Sequence, residues 1–268
     1  MNDLGPVNTL VILLIVLGLF ACMIAVIEAG RWLGRKHREK DPKAAKGLGP
    51  MEGAIYGLMG LLLAFTFSGA GRRFDARRDL IVRETNVIAT AYLRINLLPS
   101  EYRPGLRESF RQYLENRLTV YRDLPRHRPA GLEADKRARD LQVRIWDQAT
   151  DAIRHLGPAP NEDAVTTLVM QSLNDMFDIT TAHGMALQTH PPMLIYAMMI
   201  VLLLASSLLA GYETGFSKAR SWVHIFGFAG ILSASIYMIL DFEYPRVGLI
   251  RIDAADQFLI DLLAWMRR

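Results

Sequence analysis

The stretch from Glu52 to Pro99 limits most sharply what this chain can fold into. It opens as a membrane-length apolar run, Gly53–Gly69. It passes without a break into Gly71-Arg72-Arg73-Phe74-Asp75-Ala76-Arg77-Arg78, then Glu84-Thr85-Asn86-Val87-Ile88 and on to Leu98. No proline lies between Glu52 and Leu98, and no glycine follows Gly71. The two strongest helix breakers are therefore missing, and one helix is expected to leave the bilayer and enter water. Its apolar pattern changes along the way. Gly53 to Phe67 is apolar all round, whereas Leu80, Ile81, Val87, Ile88, Tyr92, Ile95 and Leu98 recur mostly at steps of three and four, as one stripe on a water-exposed helix. Gly53, Gly57, Gly60, Ala64 and Ser68 fall close to one face, a spacing that lets helix backbones approach closely in a membrane. Two readings of that face stay open: packing within one subunit, or packing between subunits around an axis.

Val7–Ile27, Gly53–Gly69, Met193–Tyr212 and Trp222–Leu240 are apolar and close to the roughly 20 residues a spanning helix needs. The chain reads as an all-α, multi-pass integral membrane protein. Val7–Ile27 has no basic leader and is expected to be a retained anchor rather than a cleaved signal. Cys22 is the one cysteine, so no internal disulfide can form. Arg31, Arg35, Lys36, Arg38, Lys40, Lys43 and Lys46 crowd the loop after the first span, which the positive-inside rule places in the cytoplasm. Lys218 and Arg220 between spans three and four agree. Spans one and two then put the central segment outside, on the periplasmic side of a bacterial inner membrane, while the Arg cluster after span two argues the other way.

The expected division is 1–71 with two membrane helices, 72–191 as a soluble helical domain continuous with the second, 192–240 with two more membrane helices, and 241–268 as an interfacial tail. Within the soluble segment one helix is expected from Ser100 and Glu101 to about Asp123. A breaker-rich turn follows at Leu124–Gly131, then a helix from about Leu132 to His155 stopped by Gly157 and Pro158. A last helix capped by Asn161 carries Val165, Leu168, Val169, Leu173, Met176 and Ile179 at helical spacing. The tail from Asp253 carries Phe258, Leu259, Leu262, Leu263 and Met266 on one side, and is expected on the membrane surface or against the bundle.

No catalytic constellation is present in the sequence. The six histidines, His37, His127, His155, His183, His190 and His224, show no metal-ligand spacing. His183 and His190 are placed to share a helical face near the membrane. No strand precedes a nucleotide-binding glycine loop, and the near balance of charge in the soluble segment speaks against nucleic acid. An enzyme is not expected, nor a cofactor or metal. Asp241 and Glu243 sit at the mouth of a span, where carboxylates need water or a partner. They pair with Arg246 or with Arg72–Arg78, or they line an ion vestibule as a ring of acids in an oligomer.

At Leu63-Ala64-Phe65-Thr66-Phe67-Ser68 followed by Arg72-Arg73-Phe74-Asp75-Ala76-Arg77 the chain resembles bestrophins. Over nearly its whole length it resembles the bacterial membrane proteins labelled bestrophin-like. The shared pattern is the Arg-rich exit, Glu84-Thr85-Asn86-Val87-Ile88, Tyr92-Leu93-Arg94, Leu98-Pro99 and Asp241-x-x-Tyr244-Pro245-x-x-Gly248-Leu249. The resemblance implies a homo-oligomeric ion channel, a pentamer by analogy, with the pore lined by the second span. The pore-lining candidates are then Leu61, Phe65, Phe67 and Ser68, with Phe65 the constriction. The charged vestibule candidates are Arg72, Arg73, Arg77, Asp241 and Glu243. Implied partners are a second copy of the chain, the lipid bilayer and inorganic ions. The calcium-binding acidic run and proline-containing neck of bestrophins are not evident, and their helical domain is cytosolic. A rival reading of another class is a membrane-anchored sensor or scaffold whose soluble bundle binds a ligand or partner protein.

Overall fold

The computed structural model describes residues 9–40, 49–123, 129–157, 162–217, 220–246 and 248–268. Lys43, Lys46 and Lys218, the turn at 124–128, the stop at Pro158 and the Asn161 cap lie outside them. The described residues form eight α-helices and no strand: α1 Thr9–Lys40, α2 Gly49–Arg94, α3 Arg103–Asp123, α4 Pro129–Arg154, α5 Glu162–Gln188, α6 Met193–Gly215, α7 Trp222–Glu243 and α8 Asp253–Met266. Four helical stretches are long and apolar enough to cross a membrane.

α2 is one helix of 46 residues. It ends where the sequence requires. A 3₁₀ turn, Ile95–Leu97, leads to Leu98, which is extended (φ −83°, ψ 162°) because the ring of Pro99 disfavours a helical residue before it. α3 begins at Arg103 rather than Ser100. Pro99 to Tyr102 form a turn, Pro104 takes a first-turn position where its missing N–H costs nothing, and the Arg103 Nε donates to the Leu98 carbonyl at 2.8 Å. α4, by contrast, starts about three residues early, on Pro129. α1 continues past Ile27 to Lys40: no proline lies between Glu28 and Lys40, and Gly30 and Gly34 are kept helical by packing against α6.

The chain divides into two compact units. One comprises Val7–Arg72 and His190–Tyr244. Met23 and Ile27 of α1, Met199 and Leu203 of α6, and Ala229 and Ile236 of α7 are central to its core. α1 and α6 cross at contact distance through glycines. A Cβ on Gly30 would stand 2.1 Å from the Leu208 carbonyl oxygen, one on Gly34 2.2 Å from that of Tyr212, and one on Gly211 2.0 Å from that of Ile27. Two small-x-x-x-small pairs, Gly30/Gly34 and Gly211/Gly215, thus interlock. The glycine face of α2 behaves differently. Nothing lies within 4 Å of a Cβ built on Gly53, Gly57 or Gly60, and Ala64 and Ser68 are exposed. Packing within the subunit therefore belongs to α1 and α6, not to the α2 face.

The other unit comprises Arg73–Thr189 and Pro245–Arg268 among the described residues. Its core gathers Ile88 from α2, Phe110 from α3, Ile145 from α4, Met176 from α5 and Leu259 from α8. α8 lies against this bundle. Ala255, Leu259, Leu262, Leu263 and Met266 are buried, the Tyr92 hydroxyl donates to the Met266 carbonyl at 3.3 Å, and Trp265 meets Tyr92 edge-on. Phe258, expected on the same apolar side, is 53% exposed. It lies one helical step of about 100° from Leu259, off the packed face.

Candidate functional site

The most heavily charged part of the bundle core is built on apolar stripes. On α2 and the 3₁₀ turn that follows it, Ile81, Glu84, Ile88, Ala91 and Ile95 follow one another at steps of three and four, and all are buried. On α3 the same spacing joins Phe110, Tyr113, Leu114, Arg117, Val120 and Tyr121, again all buried. On α5 it leads from Met176 to His183, which is 2% exposed. Helical periodicity thus forces one carboxylate, one guanidinium, one phenol and one imidazole into the interior together. Burying a charge is costly unless it is paired and hydrogen-bonded.

Each of these groups is satisfied. Glu84, with no exposed surface, accepts from the Arg117 Nε at 2.7 Å on one carboxylate oxygen and from the Tyr121 hydroxyl on the other. The Arg117 Nη2 donates to the Tyr121 oxygen at 2.9 Å, and the His183 Nδ1 lies 3.3 Å from that oxygen. Since the phenol gives its only proton to Glu84, its oxygen accepts from both Arg117 and His183. That arithmetic assigns His183 as the neutral tautomer with hydrogen on Nδ1. Arg246, from the turn after Pro245, stands 4.9 Å over the Tyr121 ring and forms a two-pronged ion pair with Asp256 of α8 at 2.8 and 3.0 Å. Arg117 also packs at 4.9 Å on that ring. Tyr121 is the hub, joining α2, α3, α5 and the segment after α7.

The electrostatics follow from burial and sign. Burial, reinforced by the Glu84 charge, pushes the Tyr121 phenol well above its ordinary range, so it stays a donor. Burial works against the charged form of Arg117, but Tyr121 and Glu84 outweigh it and its pKa is raised. Burial pulls His183 down to about 4; Glu84 opposes this, while Arg117, Arg246 and Arg77 reinforce it. His183 is therefore neutral at physiological pH.

Beside this hub, Arg77 is 2% exposed, and its guanidinium donates to the carbonyls of Ala186 at 3.1 Å and Thr189 at 3.0 Å. It caps the C-terminal end of α5, where unpaired carbonyls and the helix dipole favour a cation. Of the expected vestibule arginines, Arg77 is thus enclosed in its own subunit, while Arg72 is exposed and Arg73 half-buried. Asp241 and Glu243 are buried, and Glu243 meets the His190 Nδ1 at 3.2 Å with the His190 ring stacked on Tyr244. Arg246, one partner expected for these acids, is engaged with Asp256. His183 and His190 do not share a helix, because α5 stops at Gln188. The pore candidates Leu61 (53%), Phe65 (66%) and Phe67 (43%) are exposed on α2, as is Ser68; Phe67 meets Phe242 edge-on. Phe65 therefore forms no part of the core of its own chain. No group of three or more metal-ligating side chains occurs among the described residues.

Fold and site together define a four-span, all-helical membrane protein with a helical bundle outside its spanning segments. A profile of the Bestrophin-like domain matches residues 12–256, and the chain belongs to that family. No curated protein and no solved structure is significantly similar to it.

Proposed function

We propose that the protein is a bestrophin-like ion channel: a homo-oligomer, pentameric by family analogy, with α2 lining the pore. Family membership supports the channel class. The observation that carries the pore assignment is the α2 face left open by its own subunit. Leu61, Phe65, Phe67 and Ser68 are exposed there, and the Gly53, Gly57 and Gly60 positions are free for close approach. In a ring of copies the small residues admit a neighbouring helix, and Phe65 supplies a bulky apolar collar. Such a collar gates by dewetting, since a narrow apolar passage holds too little water to hydrate an ion. Arg72 follows further along α2, exposed at the exit of the span.

The loop charges favour the bundle on the periplasmic face of a bacterial inner membrane. The test is Phe65→Ala in reconstituted liposomes, with ion flux and thermal stability measured on the same preparation. A widened, hydrated collar raises flux. Because Phe65 is 66% exposed in its own chain, the change also spares the subunit the roughly 3–5 kcal/mol cost of emptying a core position. Unchanged flux in a normally assembled oligomer removes Phe65 from the pore.

A further inference from the structure

We propose that the Glu84–Tyr121–His183 junction is a proton-operated latch: at neutral pH it ties α2, α3, α5 and the Arg246 turn together, and on acidification it releases them. The latch stands on the geometry of the bundle and does not depend on the channel reading.

His183 is enclosed by groups of known sign. Arg77 and Glu84 face it from α2, Arg117 and Tyr121 from α3, and Arg246 from the turn after Pro245. Of these, three are cations and one is a carboxylate; a second carboxylate, Asp256, holds Arg246 from α8. Glu84 is already committed to Arg117 and to the Tyr121 hydroxyl. Its oxygen lies 3.8 Å from the His183 Nδ1, with the phenol bonded to both. The Nδ1 proton is spent on the Tyr121 oxygen, so a second proton enters at Nε2 and adds a cation where Glu84 and Asp256 are already taken by Arg117 and Arg246. With 2% of its surface exposed, the ring has almost no water to offset that charge.

Protonation is therefore disfavoured in the closed cluster and is favoured by any state that lets His183 reach solvent. Burial holds the imidazole at about 4 in the closed bundle, against an ordinary value of 6.5. Between those limits an opened state binds more protons than the closed one, so closure weakens as pH falls through this window and is fully favoured above it. What opens is set by the bonds at the hub. Tyr121 carries α3, His183 carries the last turns of α5, and Arg246 reaches through Asp256 to α8. Among the described residues the bonds at Glu84, Tyr121 and His183 come from α2, α3 and α5; α4 reaches their neighbours Tyr113 and Thr180 through Gln142, and its part beyond that residue is the internal control.

The experiment is hydrogen–deuterium exchange on the full-length protein in detergent micelles from pH 7.5 to 4.5, each rate corrected for the intrinsic pH dependence. Residues 117–123, 182–188 and 248–256 are expected to lose at least tenfold in protection between pH 6.5 and 4.5, while 145–152 holds. His183→Gln, which cannot take the proton, is expected to flatten that profile. Arg246→Gln, which removes one cation facing the ring and so lets the closed cluster hold the proton more easily, is expected to shrink the loss of protection and move its midpoint to lower pH. Identical profiles for wild type and His183→Gln overturn the latch, as does a loss of protection that includes α4 equally. Should His183→Gln fail to fold, an unshifted midpoint in Arg246→Gln overturns it instead.

Discussion

Removing either member of the buried Glu84–Arg117 pair should cost far more than removing both. The pair is closed at 2.7 Å with side-chain exposures of 0% and 4%. Glu84→Met leaves a guanidinium in the core with only the Tyr121 oxygen, and Arg117→Met leaves a carboxylate held only by the phenol. Each single change carries the cost of an uncompensated buried charge, about 3–5 kcal/mol. The double replacement removes both charges and keeps similar volume. Its residual cost is the Tyr121 hydroxyl, which loses its acceptor, about 1–3 kcal/mol. The coupling between the two sites should then be about 3 kcal/mol or more. For a chain of this size each single variant should melt about 6–20 °C below wild type, at roughly 2–4 °C per kcal/mol, and the double variant above either single one. Thermal unfolding followed by circular dichroism in one detergent at pH 7.5 reads the order directly. A double variant that melts as low as the two single losses added together would refute the pairing argument.

Two further outcomes are expected. Gly211→Leu should separate α1 from α6, because even a Cβ there stands 2.0 Å from the Ile27 carbonyl oxygen; the folded yield in detergent should collapse, whereas Gly57→Leu, which meets nothing within its own chain, should fold and lose only oligomer by size-exclusion with light scattering. For topology, a cysteine at Lys40 in a Cys22→Ser background should resist an impermeant thiol reagent in intact cells; labelling would place the bundle in the cytosol.

The long helix was legible because its signal is an absence of breakers over a long window, and α2 obeys it to the residue before the 3₁₀ turn. The four spans were legible for a similar reason, since length and hydropathy leave few alternatives. The bundle hub was not singled out, although its mark is in the sequence. Glu84 interrupts the stripe Ile81–Ile88, and Arg117 interrupts Leu114–Tyr121 at the same spacing. A charge on a soluble helix usually faces water, and only position on the stripe distinguishes these two. The pairing itself was beyond reach, because α2, α3 and α5 meet through tertiary packing that no local pattern encodes. The α1–α6 crossing was missed differently. Gly30/Gly34 and Gly211/Gly215 are short motifs on two helices far apart in sequence, while the longer small-residue run on α2 drew attention to a face the subunit leaves open.

That crossing also sets an order for biogenesis. Gly30 emerges early and its partner Gly211 181 residues later, after α2, α3, α4 and α5 have been made. At about 5–20 residues per second of synthesis, α1 waits roughly 10–40 s in the bilayer before α6 reaches it. Throughout that interval its glycine face is open to whatever helix lies nearby. A translation rate that shortens the wait, or an insertion factor that shields the Gly30–Gly34 face, should raise the yield of folded protein without altering a residue of it.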